Sequence, residues 1–229
     1  KSHAKNGIRK GLANCRIEQI SFTRLATEGW SLQKDALGRQ RRLQSMSRKQ
    51  WEKCCLSAED LPGFEAWAAL VGDSLAASVI TARIDDVWTI PYAQSLSKYL
   101  NLHVNNALFY SICENLLERG GIREVFTNLE SLDAPGSVDE FKFRLGFQPR
   151  PVRQQIYFNP LVRPVIGAGV YSTIQSLHRV FPKSHFLSKT EGTIRFYLEG
   201  RLPAERQSVP TCLVNDSTDC QNNIKIPDQ

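Results

Sequence analysis

The chain has 229 residues, 41% of them apolar and 23% charged, with a formal net charge of +6. This is an ordinary globular composition, long enough to bury a core without help from disulfides or metals. No window approaches the ~18–20 apolar residues of a membrane-spanning helix, and the longest apolar stretches, near Phe64–Val71 and Leu75–Ile84, are of strand length.

The charge is distributed in blocks. Residues 1–53 carry 13 Lys/Arg against 4 Asp/Glu, residues 54–147 carry 6 against 13, residues 148–202 carry 8 against 2, and residues 203–229 carry 2 against 4. An acidic centre between two basic flanks is not the pattern of a uniformly basic polymer binder. It suits a polyanionic ligand such as a nucleotide cofactor. The six cysteines, Cys15, Cys54, Cys55, Cys113, Cys212 and Cys220, form no CxxC pair, and His3, His103, His178 and His185 do not cluster with them. Reduced thiols, a cytoplasmic location and no metal site are expected. The chain begins at Lys1 rather than Met, which reads as a fragment or a processed product.

Residues 1–13 read as a basic helix. Cys15–Phe22 alternates as a strand, and Phe22–Leu43 has apolar residues at helical spacing, at Leu25, Gly29/Trp30, Leu32 and Ala36/Leu37, with a polar opposite face. A second helix spans Ser47–Ser57 and is stopped by Asp60–Gly63. Three strands follow, Phe64–Val71, Leu75–Ile84 and Val87–Tyr92. They are joined by the two-residue turns of antiparallel hairpins, at Gly72–Asp73 and Asp85–Asp86, the latter read as a solvated turn. Pro91 cannot donate to a ladder, so pairing should break there.

Asn105 or Asn106 caps a helix that runs to about Arg119 and stops at Gly120–Gly121. Ile122–Leu129 reads as a strand. Ser137–Glu140 is a capping box opening a helix over Val138–Leu145, ended by Gly146. Phe147–Phe158 is the last strand, interrupted by Pro149 and Pro151. Pro160–Phe181 and Ser188–Leu202 read as helices, and residues 203–229, without periodicity, as a disordered tail.

Phe141–Lys142–Phe143–Arg144–Leu145–Gly146–Phe147 is similar to the helix-then-Gly-Phe signature of the GNAT superfamily of N-acetyltransferases. The FK…GF form and the basic entry Asn6–Gly7–Ile8–Arg9–Lys10 resemble its FemAB-like and CelD-like acyltransferase branch. The resemblance covers about residues 5–160. It implies an α/β (α+β) fold with a central mixed, mostly antiparallel sheet flanked by helices. Residues 1–160 would form the acyltransferase domain, residues 161–202 a helical extension packed on it, and residues 203–229 a tail. It implies an enzyme that moves an acyl group from acetyl-CoA or another acyl-CoA to a small-molecule or peptide amine, with no metal. The alternatives are a FemAB-like aminoacyl-tRNA-dependent peptidyltransferase, which would bring tRNA as a partner, and a non-catalytic binding module of the same fold.

The resemblance also assigns roles. Lys142 stands near the position of the family's tyrosine general acid, and Glu130 and Tyr92 are candidates for base and proton relay. The family binds the CoA pyrophosphate through a glycine-rich loop opening a helix. The matching stretch here, Asn101–Ala107, has no glycine, so His103, Asn105, Asn106 and Ala107 are the expected donor contacts, through a helix N-terminus alone. Arg150 and Arg153 are the expected contacts for an anionic substrate. The donor's pantetheine arm is expected between splayed strands, Val87–Tyr92 and Ile122–Leu129.

Overall fold

A computed structural model of the chain describes residues 2–40, 46–129, 137–150, 156–182, 184–203 and 206. The chain divides into two compact units, Lys1–Leu129 and Glu130–Gln229.

The first unit holds helix α1 (Ser2–Asn14), strand β1 (Arg16–Ile20), helices α2 (Phe22–Arg39) and α3 (Arg48–Ala58), strands β2 (Phe64–Val71), β3 (Ser74–Ile84) and β4 (Val87–Ser95), helix α4 (Val104–Glu118) and strand β5 (Glu124–Phe126). The five strands form one sheet in sequence order. The first three pairings are antiparallel, and β4 with β5 is parallel.

Strands β2 and β3 are buried along nearly their whole length, as expected of strands covered on both faces. Side chains alternate between the faces. Ala66, Ala68, Leu70 and Ile80 pack with Leu25, Leu32, Trp51 and Cys55 of α2 and α3 in one apolar cluster. Removing one fully buried leucine from such a cluster costs about 2–5 kcal/mol. The opposite face meets α4, whose Ala107, Leu108, Ile112 and Leu116 are fully buried. The many alanines let the helices lie close to the sheet.

Local signals explain the boundaries. Ser21 caps α2 by accepting from the Arg24 amide, and Ser47 and Gln50 form a reciprocal capping box on α3. Helix α1 packs on α4 through Gly7 and Gly11. A Cβ on Gly11 would lie 2.5 Å from the His103 carbonyl oxygen and 2.8 Å from the Ala107 Cβ, so only hydrogen fits. At Gly7 the nearest atom is the side-chain nitrogen of Asn106, at 3.1 Å.

A polar clamp ties α2 to the end of β4. Arg39 donates to the Ser95 carbonyl (3.0 Å), the Ser95 hydroxyl (3.3 Å) and the Ser97 hydroxyl (3.2 Å), and pairs with Asp35 at 3.1 Å. Asp35 in turn accepts from the Ser97 amide at 3.1 Å and from its hydroxyl. The hydroxyl bond, the amide bond and the Arg39 charge hold the Asp35 carboxyl below the usual carboxylate range, against a smaller opposing effect of burial.

In the second unit, α5 spans Ser137–Arg144, α6 Ala168–Val180 and α7 His185–Glu199. Helix α5 ends as a Schellman motif: the Phe147 amide donates to the Lys142 carbonyl, the Gly146 amide to that of Phe143, and Gly146 has φ +100°. The expected last strand over Phe147–Phe158 is corrected. Residues 147–150 and 156–158 form no strand, and residues 151–155 lie outside the described residues. Pro149 and Pro151 remove two ladder donors. The helix expected from Pro160 begins only at Ala168, after the extended N-cap Gly167, and that expected from Ser188 begins earlier, behind the Ser184 cap. Strand β5 is also shorter than Ile122–Leu129. The tail over residues 203–229 lies outside the described residues apart from Pro203 and Arg206. No described helix is long and apolar enough to cross a membrane.

Two stability measurements test this packing. In urea denaturation, Gly11→Ala is expected to lose about 1–3 kcal/mol by overpacking. Gly38→Ala, where a Cβ meets nothing within 4 Å, is expected to gain about 0.4–1 kcal/mol. For Asp35 the folded pKa is depressed, so its contribution is complete above the unfolded value of about 3.9 and is lost as pH falls through the lower folded value. The Tm advantage of wild type over Asp35→Asn should therefore be largest near neutral pH and shrink below about pH 4.

Candidate active site

Strand β4 departs from a regular ladder at Pro91. Its register with β3 runs Ala82↔Thr89 and then Ile80↔Tyr92, so β4 takes three steps where β3 takes two. One extra residue sits at Ile90–Pro91, a β-bulge where the proline removes a donor. The bulge resets the side-chain alternation. Trp88 is paired with Arg83, whose guanidinium reaches the Gly121 carbonyl just beyond α4. After the bulge, Tyr92 stands edge-on to Trp51 of α3 at 6.3 Å, and the buried Gln94 donates to Gln33 of α2. Even-numbered side chains thus move from the α4 face to the α2/α3 face. The Gln94 side-chain oxygen is buried without a hydrogen-bond partner among the described residues.

On its other side β4 pairs with β5 only over Val87–Thr89. Two residues after β5, Asn128 takes a left-handed φ of +62°. From Ile90 to Ser95 no described strand pairs with that edge of β4. The expected break in pairing at Pro91 is therefore present on both sides of the strand, as a bulge toward β3 and as an open edge toward β5.

The open edge leads to the start of α4. A 3-10 turn over Ser97–Leu102 ends at His103, which has left-handed φ and ψ (57°, 30°) and makes no side-chain cap bond. The helix begins at Val104, so Asn105 and Asn106 are its second and third residues and not its caps. The Asn106 and Ala107 amides both donate to the His103 carbonyl. This leaves Val104 and Asn105 as the first-turn amides without a partner among the described residues, and with Val104 fully buried only Asn105 is part-exposed. The Asn105 side chain donates to the Ser95 hydroxyl at 3.2 Å, joining the clamp to the helix start. Ala107 is fully buried and, with His103 and Asn106, is covered by α1 at Gly7 and Gly11.

The structure thus brings together His103, Asn105, Asn106 and Ala107 at the start of α4, whereas Tyr92 lies on the other face of the sheet, beside Trp51. Lys142 belongs to the second unit, where it is half-buried and pairs with Asp139 of its own helix at 3.2 Å. Arg150 is exposed in the same unit. Glu130 and Arg153 lie outside the described residues. Sequence reading did not place Asp35, Arg39, Ser95 and Ser97 together. Arg39 stood out only as part of a basic run, and its partners lie some 60 residues away.

Beside the end of β4, a groove of about 440 Å³ separates α2 from the residues that follow the strand, with Trp30 and Leu96 on its apolar side and Glu28, Arg48 and Lys98 on its polar side. The described cysteines are free thiols, and burial pushes Cys55 up to about 12 and Cys113 up to about 11. Neither is disposed to act as a thiolate nucleophile. Among the described residues no three His, Cys, Asp or Glu side chains converge as a metal-ligand group.

No family model matches the chain, and no curated protein matches it. Solved structures do. The aminoglycoside N-acetyltransferase AAC(6')-Iy in complex with CoA is similar with a TM-score of 0.50 at 11% identity, over 64% of this chain and 95% of that one. The same enzyme with a bisubstrate analogue, CoA-S-monomethyl-acetylneamine, gives 0.50 at 10% identity, over 63% and 97%. A ribosomal-protein-alanine N-acetyltransferase from Brucella melitensis gives 0.49 at 14%, over 63% and 99%. At these identities the shared property is the fold, and the mixed sheet flanked by helices that the residues led us to expect is the arrangement found in N-acetyltransferases.

Proposed function

We propose that the chain is an N-acyltransferase that moves an acyl group from a CoA thioester to an amine. The observation that carries this reading is the open edge of β4 from Ile90 to Ser95, which leads to the unpartnered, part-exposed Asn105 amide on the first turn of α4. An extended, amide-bearing pantetheine arm would add to such an edge as a strand does. The donor's phosphates would then face the Asn105 amide and the positive end of the helix. The edge suits an extended donor, and the helix start would offer its phosphates one open amide and no glycine cradle. The fold shared with CoA-binding N-acetyltransferases supports the same reading, and the Asn6–Lys10 and Phe141–Phe147 motifs support the FemAB-like branch.

In the reaction the amine nitrogen attacks the thioester carbonyl carbon, the C–S bond breaks, and the thiolate leaves. The amine's proton must pass to a base, and the thiolate must be stabilised or protonated. Tyr92, just beyond the bulge, is the proposed proton relay, and Glu130, four residues after β5 in sequence, the proposed base. Lys142 is the proposed cation for the developing negative charge, and Arg150 and Arg153 are proposed contacts for an anionic acceptor. The acceptor amine is proposed to approach through the groove at Trp30.

Calorimetric titration with acetyl-CoA tests the donor. Binding is expected, and Asn105→Asp is expected to weaken it about ten-fold or more, because the new carboxylate favours the helix N-terminus but repels a phosphate there. Absence of binding to the wild type overturns the reading. Thiol release from acetyl-CoA over a panel of primary amines tests the chemistry. Lys142→Met is expected to lower kcat by about 10²–10³ while leaving acetyl-CoA affinity nearly unchanged.

A further inference from the structure

The helical pair of the second unit has an apolar tip. Helices α6 and α7 are held together away from their connecting turn. Tyr171 donates to Glu191 at 2.9 Å, Phe158 meets Tyr197 edge-on at 4.9 Å, and Ile194 and Tyr197 are buried. At the turn itself the apolar side chains face outward: Val180 is 68% exposed, Phe181 57% and Phe186 76%. The Ser184 amide donates to the Phe181 carbonyl, and the Ser184 hydroxyl caps α7 at Leu187.

The surrounding charge has a single sign. From Leu145 to Thr190 the sequence holds six Lys/Arg and no Asp/Glu. Arg179 and Lys189, on either side of the turn in sequence, are exposed and have no ion pair among the described residues. Exposed apolar side chains flanked by cations match the boundary of an anionic bilayer, with acyl chains for the apolar tip and headgroup phosphates for the cations.

We propose that the α6–α7 turn docks on an anionic lipid surface, with Phe181 and Phe186 inserted among the lipids and Arg179 and Lys189 at the headgroups. The site is independent of the acyltransferase reading.

The test is co-sedimentation of the full chain with phosphatidylcholine vesicles with and without phosphatidylglycerol. Binding is expected with phosphatidylglycerol and not without it. Replacing both Phe181→Ser and Phe186→Ser should weaken it about ten-fold or more. Each of Arg179→Glu and Lys189→Glu should weaken it at least about five-fold. A second readout does not depend on loss of function: Phe186→Trp should be quenched by brominated acyl chains beyond the quenching of the wild-type tryptophans. Four results would each overturn the proposal: no vesicle binding, equal binding by the double phenylalanine variant, no excess quenching, or salt-sensitive binding of tRNA without binding of vesicles.

Discussion

One extra residue in β4 organises the first unit. A one-residue offset in a strand exchanges its two faces, and the bulge at Ile90–Pro91 makes that exchange in the middle of β4. Before it, Trp88 faces the α4 side. After it, Tyr92 and Gln94 face α2 and α3, where they meet Trp51 and Gln33. Without the bulge these two side chains would be directed at α4, and Gln33 would be buried without its amide partner. Pro91 suits the position because a bulge already gives up a ladder bond, so the missing donor costs little there.

The same strand has to end in a defined place, and the clamp supplies it. Asp35 and Arg39 stand one turn apart on α2 and together engage Ser95, Ser97 and, through the Ser95 hydroxyl, Asn105. The end of β4, the 3-10 turn and the first turn of α4 are therefore fixed to one helix. Glycine is used elsewhere than in the loop. Gly7 and Gly11 lie on α1 and let that helix rest on His103, Asn106 and Ala107. Close backbone approach is thus used to seal the side of α4's first turn, and the Asn105 amide is left part-exposed at its end.

Much of this was legible in the residues. Leu25 and Leu32 mark the buried face of α2, Ser47 and Gln50 announce α3, and the two-residue hairpin turns set the sheet order. Asp85 adopts the left-handed φ of +53° that its turn needs and that Asp tolerates better than most residues. The start of α4 misled because asparagine is a strong cap former, yet a 3-10 turn placed the left-handed residue at His103, two positions earlier. Pro149 and Gly167 break the strand and the helix that the residue pattern predicts around them. The clamp could not be read at all, because nothing local to Asp35 or Arg39 signals Ser95 or Ser97.

The net charge also changes meaning once the pairs are known. All four acids of the first basic block, Glu18, Glu28, Asp35 and Glu52, are engaged by arginines of the same block. Its remaining positive charge includes Lys5, Arg9 and Lys10, exposed on α1 without an ion pair among the described residues. In the second unit, Lys142 and Arg144 are matched by Asp139 and Glu140, whereas the stretch from Leu145 to Thr190 has no acid to offer. Unmatched cations therefore gather in two places. One is α1, the helix resting on α4's first turn. The other is the helical pair with the apolar tip, where the same charge sits beside side chains that water does not favour.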